Sequence, residues 1–243
     1  MKKTTTILCL GIALCMLGCS DDDDQVTTTS TVPFSLTASL SPRSSDAEDT
    51  GILQGNWNAN SQLAVMKTGS SGVPKTILTR ETDSSDTFTG DLSTLVKNEN
   101  EIAVFYPAAA ITANSSDTLT QTLNLSGQDG TLASITNYDY LWAQCKAGMN
   151  ETTGSSACEM TSLVTIGKFQ FTVNGGSPLN NITRITITAT AGTLYSSAVM
   201  KLKNGEFSST QTGNITIKNK AGISGTTYIS FFPSEAQLHF TLV

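Results

Sequence analysis

Histidine occurs once in 243 residues and cysteine five times, while charged side chains make up only 14%. Each scarcity closes off a class of chemistry. A Ser-His-Asp triad would have to be built on His239 alone, and that residue reads as part of a terminal strand, facing solvent or a neighbouring strand. Zinc binding lacks partner histidines and closely paired cysteines, so no metal is expected. There is no glycine-rich phosphate loop with its Lys-Ser/Thr, and no cofactor is expected. Low charge can mark a membrane protein, but after residue 18 no apolar run approaches the ~18 residues that a spanning helix needs. The formal charge is −6 and becomes −8 when Lys2 and Lys3 leave with an N-terminal leader. A chain this acidic, without a basic stripe, repels phosphate backbones, so nucleic acid is not an expected partner. Glycoside hydrolysis needs only two carboxylates. Asp83 with Asp86, or Asp46, Glu48 and Asp49, qualify by residue type, but their Ser/Thr-rich loops offer no burial to raise a pKa. An enzyme is not expected.

What the chain does contain is Ser, Thr, Asn and Gly, the composition of a β-rich extracellular protein. From Val32 onward the dominant period is two. Phe34, Leu36, Ala38 and Leu40 alternate with Ser35, Thr37, Ser39 and Ser41, predicting a half-buried strand followed by an exposed acidic loop over 42–51. Ile102–Tyr106 is a compact apolar run stopped by Pro107, as in a buried strand. Leu119, Gln121, Leu123 and Leu125 form a third face, interrupted by the glutamine. Ile185, Ile187 and Ala189 form a fourth. Ala198, Met200 and Leu202 lead into Asn204-Gly205, which tolerates positive φ at both turn positions and predicts a hairpin. Ile215–Ile217 and Tyr228–Phe232 add two more strands. Helical signals are confined to a turn or two at Leu92–Val96 and at Leu132–Ile135. Many short strands with regular turns predict antiparallel sandwich architecture, all-β.

The amino terminus reads differently. Lys2 and Lys3 precede an apolar run, Ile7–Leu17, too short to span a bilayer, which marks a signal peptide over 1–18. The run ends Met16-Leu17-Gly18-Cys19, which resembles the bacterial lipobox, in which the cysteine thiol takes a diacylglycerol. Two or more acyl chains anchor stably at about 0.8 kcal/mol per buried methylene, so the expected membrane partner is reached through lipid on Cys19. Asp21–Asp24 cannot pack and form, with the Thr-rich residues to 32, a solvated tether. With Cys9 and Cys15 in the leader, only Cys145 and Cys158 remain. They form either a disulfide, closing a loop of about 13 residues worth roughly 3 kcal/mol in the chain-entropy model, or two buried free thiols. Of the two tryptophans, Trp142 shares a strand face with Tyr138 and Tyr140 and is assigned to the core. Trp57, in a Gly/Asn-rich loop, is the better exposed candidate for stacking on a sugar. The Gly/Ser/Thr-rich 146–157 stretch divides two strand-rich halves, predicting domains over 33–160 and 161–243. The sequence stops inside what reads as a strand, so the second domain is expected to lack its last strands.

This order of features resembles the fimbrillin family, the lipoprotein subunits of type V fimbriae and related surface proteins. The matching elements are the lipobox and acidic run, then Phe34–Leu40 leading to Arg43, Trp57, Ala103–Pro107, Gln121 and Tyr138–Ala143, followed by Leu163–Val173 and Ile182–Ala189. Two departures stand out: Asn60-Ser61-Gln62-Leu63 replaces the Gly-Asp-x-Ile common after the tryptophan, and the histidine often found before Phe169–Val173 is absent. The resemblance implies two tandem transthyretin-like antiparallel β-sandwich domains on an outer-membrane, surface-exposed lipoprotein. It also implies assembly by strand exchange. A protease cuts after an arginine following the first strand, here Arg43, and the strand bearing Phe34, Leu36, Ala38 and Leu40 leaves a groove that a neighbouring subunit fills. The implied partners are other fimbrial subunits and a surface receptor. A glycan-binding surface lipoprotein serving nutrient uptake is the alternative.

Overall fold

A computed structural model describes residues 30–42, 51–69, 73–112, 120–173, 176–223 and 225–243. Cys19 and Arg43 lie outside the described residues, as do Asp46, Glu48, Asp49 and the tether up to residue 29; the end of the expected tether is corrected, because Thr31 and Val32 already belong to β1 and Val32 is buried. The first part of the chain contributes β1 (Thr31–Leu40), β2 (Gln62–Lys67), β3 (Thr76–Arg80), β4 (Thr87–Ser93), β5 (Glu101–Tyr106) and β6 (Thr120–Asn124). These are followed by α1 (Leu132–Ile135), β7 (Leu141–Lys146), β8 (Gly148–Met149) and β9 (Gly154–Ser162). The remainder forms β10 (Thr165–Gln170), β11 (Ile182–Ala191), β12 (Tyr195–Lys201), β13 (Phe207–Thr212), β14 (Ile215–Ile223), β15 (Thr226–Phe231) and β16 (Gln237–Leu242). The all-β expectation holds. α1 is the single α-helix among the described residues, and none of their helices is long and apolar enough to cross a membrane.

Eight strands form one sheet in the order β1-β4-β3-β2-β5-β7-β9-β8, and a further pairing of β1 with β9 closes it on itself. Seven strands thus form a ring. Alternating directions cannot be kept around an odd ring, so one neighbouring pair must be parallel; that pair is β1 with β9, a departure from purely antiparallel pairing. Inside the ring lie Phe34, Leu36, Ala38, Leu63, Val65, Leu78, Phe88, Ile102, Val104 and Met160. On the outside, Ala64, Met66, Ala103 and Phe105 join a second core with Ile185, Ile187, Met200, Ile217, Ile229 and Phe232. β2 and β5 are therefore covered on both faces, which is why Ile102–Tyr106 is a continuous apolar run and not an alternating one.

The second core is enclosed by three small sheets: β10-β15, β14-β11-β16 and β13-β12-β6. β6, from the half before residue 160, joins this group by pairing with β12, Leu123 opposite Ala198. Its interrupting Gln121 is accommodated by accepting hydrogen bonds from Thr112 N and Oγ1 at 2.9 and 3.1 Å. Buried Gln128 ties the following segment to β15, accepting from Ser230 N at 2.7 Å and donating to Ser230 O at 3.2 Å. Leu132–Ile135 is helical as expected, with Thr131 Oγ1 accepting from Ser134 N at the N-cap. Leu92–Val96 is not; Leu92 and Ser93 end β4 and a turn follows. The β12–β13 hairpin forms at Asn204-Gly205, but through a four-residue loop between Lys201 and Glu206 in which Gly205 alone has positive φ, at 70°. Gly205 lies over the Trp142 ring, where a β-carbon would come within 2.6 Å of the indole. Tyr138, Tyr140 and Trp142 all pack in the second core, although the strand begins only at Leu141.

Candidate functional site: the seat of the first strand

β1 is bonded along both edges. β4 runs antiparallel beside Thr31–Thr37, and β9 runs parallel beside Phe34–Leu40. Pro33, which lacks an amide donor, stands just before the stretch that β9 covers, where only β4 is a neighbour. The alternation in the sequence maps onto the pleat: Phe34, Leu36 and Ala38 are at most 2% exposed, whereas Thr37 and Ser39 face solvent. Burying Phe34 and Leu36 contributes about 1.5–3 kcal/mol each, a large share of the ~5–15 kcal/mol that keeps a domain folded. Leu40 is half-buried, and the chain emerges through exposed Ser41 and Pro42 toward Arg43.

Side-chain size sets the register of β1. Phe34 lies between Gly90 of β4 and Gly154 of β9, and its ring fills the space that a side chain on Gly154 would take, while at Gly90 that space is taken by Leu78 of β3. A β-carbon on Gly154 would come within 2.7 Å of Phe34 Cδ2 and would also strike Met149 Sδ. Leu36 then faces Ser156, Ala38 faces Cys158 and Leu40 faces Met160. A shift of two residues would keep the apolar face inward but set Phe34 against Ser156.

Trp57 completes the seat, and its position corrects the expectation of an exposed sugar platform. It is 3% exposed. Its ring packs edge-on against Phe88 and Tyr106, with centroids at 5.0 and 5.3 Å. Its indole Nε1 donates to the Ala38 carbonyl at 2.6 Å, just past the last residue that β4 pairs. Arg80 holds it there, Nη1 donating to the Trp57 carbonyl at 2.6 Å and Nε to Ser85 O at 2.7 Å. The Gly/Asn-rich neighbourhood signals an irregular backbone, but that backbone folds inward over the end of β1. With Ala38 N also donating to Asp86 O at 2.9 Å, Ala38 is fixed through both of its backbone groups.

Cys145 and Cys158 are free thiols that face each other across β7 and β9. The Cys158 thiol hydrogen-bonds to Cys145 and, together with Ser156 Oγ at 3.2 Å, outweighs burial to lower the Cys145 pKa to about 7. The same contact, reinforced by burial, pushes Cys158 well above the usual thiol range. His239 is exposed on β16, and Asp83 and Asp86 are exposed in their loop. Among the described residues no three His, Cys, Asp or Glu side chains gather as metal ligands.

No family model and no curated protein matches the chain. Solved structures do. One is a candidate cell adhesion protein from Bacteroides ovatus, 15% identical, matched over 88% of this chain and 86% of that one with a TM-score of 0.55. A second, from Bacteroides uniformis and of the same description, is 14% identical, matched over 87% and 80% with a TM-score of 0.55. The chain shares their fold. The residues that seat β1, Gly154 and Trp57, carry no sequence signal of that role.

Proposed function

We propose that this chain is a non-enzymatic, lipid-anchored surface protein that serves as a structural or adhesive subunit of fimbriae, assembled by strand exchange. The observation that carries the reading is β1 itself, an apolar-faced strand bonded on both edges and followed by a chain that runs outward through Ser41 and Pro42. Cleavage after Arg43 frees β1 from covalent connection to the rest of the domain. Its departure exposes the β4 and β9 edges together with the inner apolar face, a combination that another extended strand satisfies by backbone hydrogen bonds and side-chain pockets. In this reading the two cores belong to two transthyretin-like sandwiches, Cys19 carries the lipid, and the partners are fimbrial subunits and a surface receptor. The fold shared with two candidate cell adhesion proteins supports it.

The test is limited cleavage of the intact precursor by a trypsin-like protease. Cutting after Arg43 is expected to yield species that run as SDS-resistant ladders, while Arg43→Ala stays monomeric. Ladders that form equally well from Arg43→Ala, or cleaved wild-type protein that stays monomeric, would overturn the assignment.

A further inference from the structure

The β9 wall of the β1 seat has an unusual weak point. β7 and β9 pair at Leu141 and Trp142 with Ser162 and Thr161, and β8 resumes the pairing at Gly148 with Ser155. Each strand runs the same distance between these two sites, so neither slips. Cys145 and Cys158, three residues along each from the Trp142–Thr161 pair, stand opposite one another in the intervening stretch. There Cys145 stands opposite Ile102 of β5 and Cys158 opposite Ala38 of β1, and β9 reaches β7 only through side chains, the Ser156 hydroxyl donating to the Lys146 carbonyl at 2.7 Å. Both thiols pack against the inner core that β1 covers, and both retain partial access to solvent. Once β1 leaves, the middle of β9 has lost its β1 partner, and its tie to β7 is weakest at the same place.

We propose that Cys145 and Cys158 are a dithiol–disulfide site that clips β9 to β7 and keeps the wall of the seat in place when β1 is absent. The two thiols already meet, and Ser156 Oγ lies 3.2 Å from Cys145 Sγ, so the strands stay close across the gap in their ladder, as a disulfide with its Cα separation of about 4.4–6.8 Å requires. The oxidant is a protein or small-molecule disulfide. The Cys145 thiolate attacks one of its sulfurs, forming a mixed disulfide and releasing the first oxidant thiol. Cys158 then gives up its proton and attacks Cys145 Sγ, releasing the second. Two protein thiols are oxidised, one disulfide is reduced to two thiols, and the two protons end on them. The hydrogen bond that Cys158 makes to Cys145 favours Cys145 as the attacking group, and the Ser156 hydroxyl supports its charge.

The proposal deepens the strand-exchange reading, but its test uses the uncut chain, so the two fail separately. Protein isolated from its native cells, with thiols blocked by N-ethylmaleimide at lysis and digested without reduction, is expected to give a peptide pair joined through Cys145 and Cys158. Maleimide on both cysteines in most molecules would overturn the site. Amide exchange is then compared between wild-type protein equilibrated with oxidised glutathione and with dithiothreitol, which needs no variant. Exchange over 154–160 is expected to be at least about tenfold slower in the oxidised form, with β11 and β14 unchanged. Equal exchange in the two forms, or a uniform change across the chain, would remove the clip. The Cys145→Ala/Cys158→Ala double substitution is expected to show no response to either reagent.

Discussion

Replacing Trp57 with phenylalanine isolates one bond between the first strand and its seat. A phenyl ring keeps most of the edge-on packing against Phe88 and Tyr106 but has no N–H to offer the Ala38 carbonyl. That carbonyl lies under a side chain only 3% exposed, past the end of the β4 pairing, so water does not readily replace the donor. Leaving a buried acceptor unpaired costs about 1–3 kcal/mol, which multiplies the opening equilibrium roughly 5- to 150-fold. Two measurements read this. The urea midpoint of Trp57→Phe is expected to fall with an unchanged slope. Amide exchange is expected to accelerate first at the Leu36–Leu40 end of β1, ahead of the strands around the second core. An unchanged midpoint, or acceleration that spares β1, would refute the claim that the indole pins this strand.

Three further outcomes follow from the packing around β1 and β9. Gly154→Ala places a methyl group against Phe34 and Met149 and is expected to destabilise the protein by about 1–3 kcal/mol in urea, with the change in exchange centred on β1 and β9. In the reduced protein, alkylation of Cys145 by iodoacetamide is expected to rise through a midpoint near pH 7, while Cys158 stays sluggish beyond pH 9; Cys158→Ala should return the Cys145 midpoint toward 9. Because the folded Cys145 value lies below its ordinary 9.0, the stability it contributes is present above that value and lost as pH falls through about 7, a trend that urea midpoints between pH 6.5 and 8.5 can register.

The strand at the centre of the site was legible because its burial has the simplest pattern. Phe34, Leu36 and Ala38 alternate with hydroxylated residues, and the structure keeps that phase. β5 was legible for the opposite reason, an unbroken apolar run that both cores claim. Trp57 was misread because Gly and Asn report on backbone freedom, and an irregular segment at the open end of a ring can fold into it. β3 and β4 gave no clear signal: in β3 only Leu78 is buried, and in β4 the inward-facing Phe88 and Leu92 are separated by Gly90, which leaves a gap in the alternation. The pairing of β6 with β12 and the bonds of Gln128 to Ser230 are long-range matters that no local period encodes. The two cysteines suggested a loop closure, and only the strand register shows what they would clasp.

The parallel pair that closes the ring joins residues about 120 positions apart, as Ser39 Oγ does in donating to the Cys158 carbonyl. Loop closure over such a span is slow, whereas β2 with β3, β3 with β4, and β5 with β7 are joined by much shorter connections. The folding chain therefore builds most of the ring from its own hairpins and zips the opening strand into it last. Under the strand-exchange proposal, the final step of folding and the first step of release are one reversible motion, and whichever strand reaches the vacancy first completes the domain.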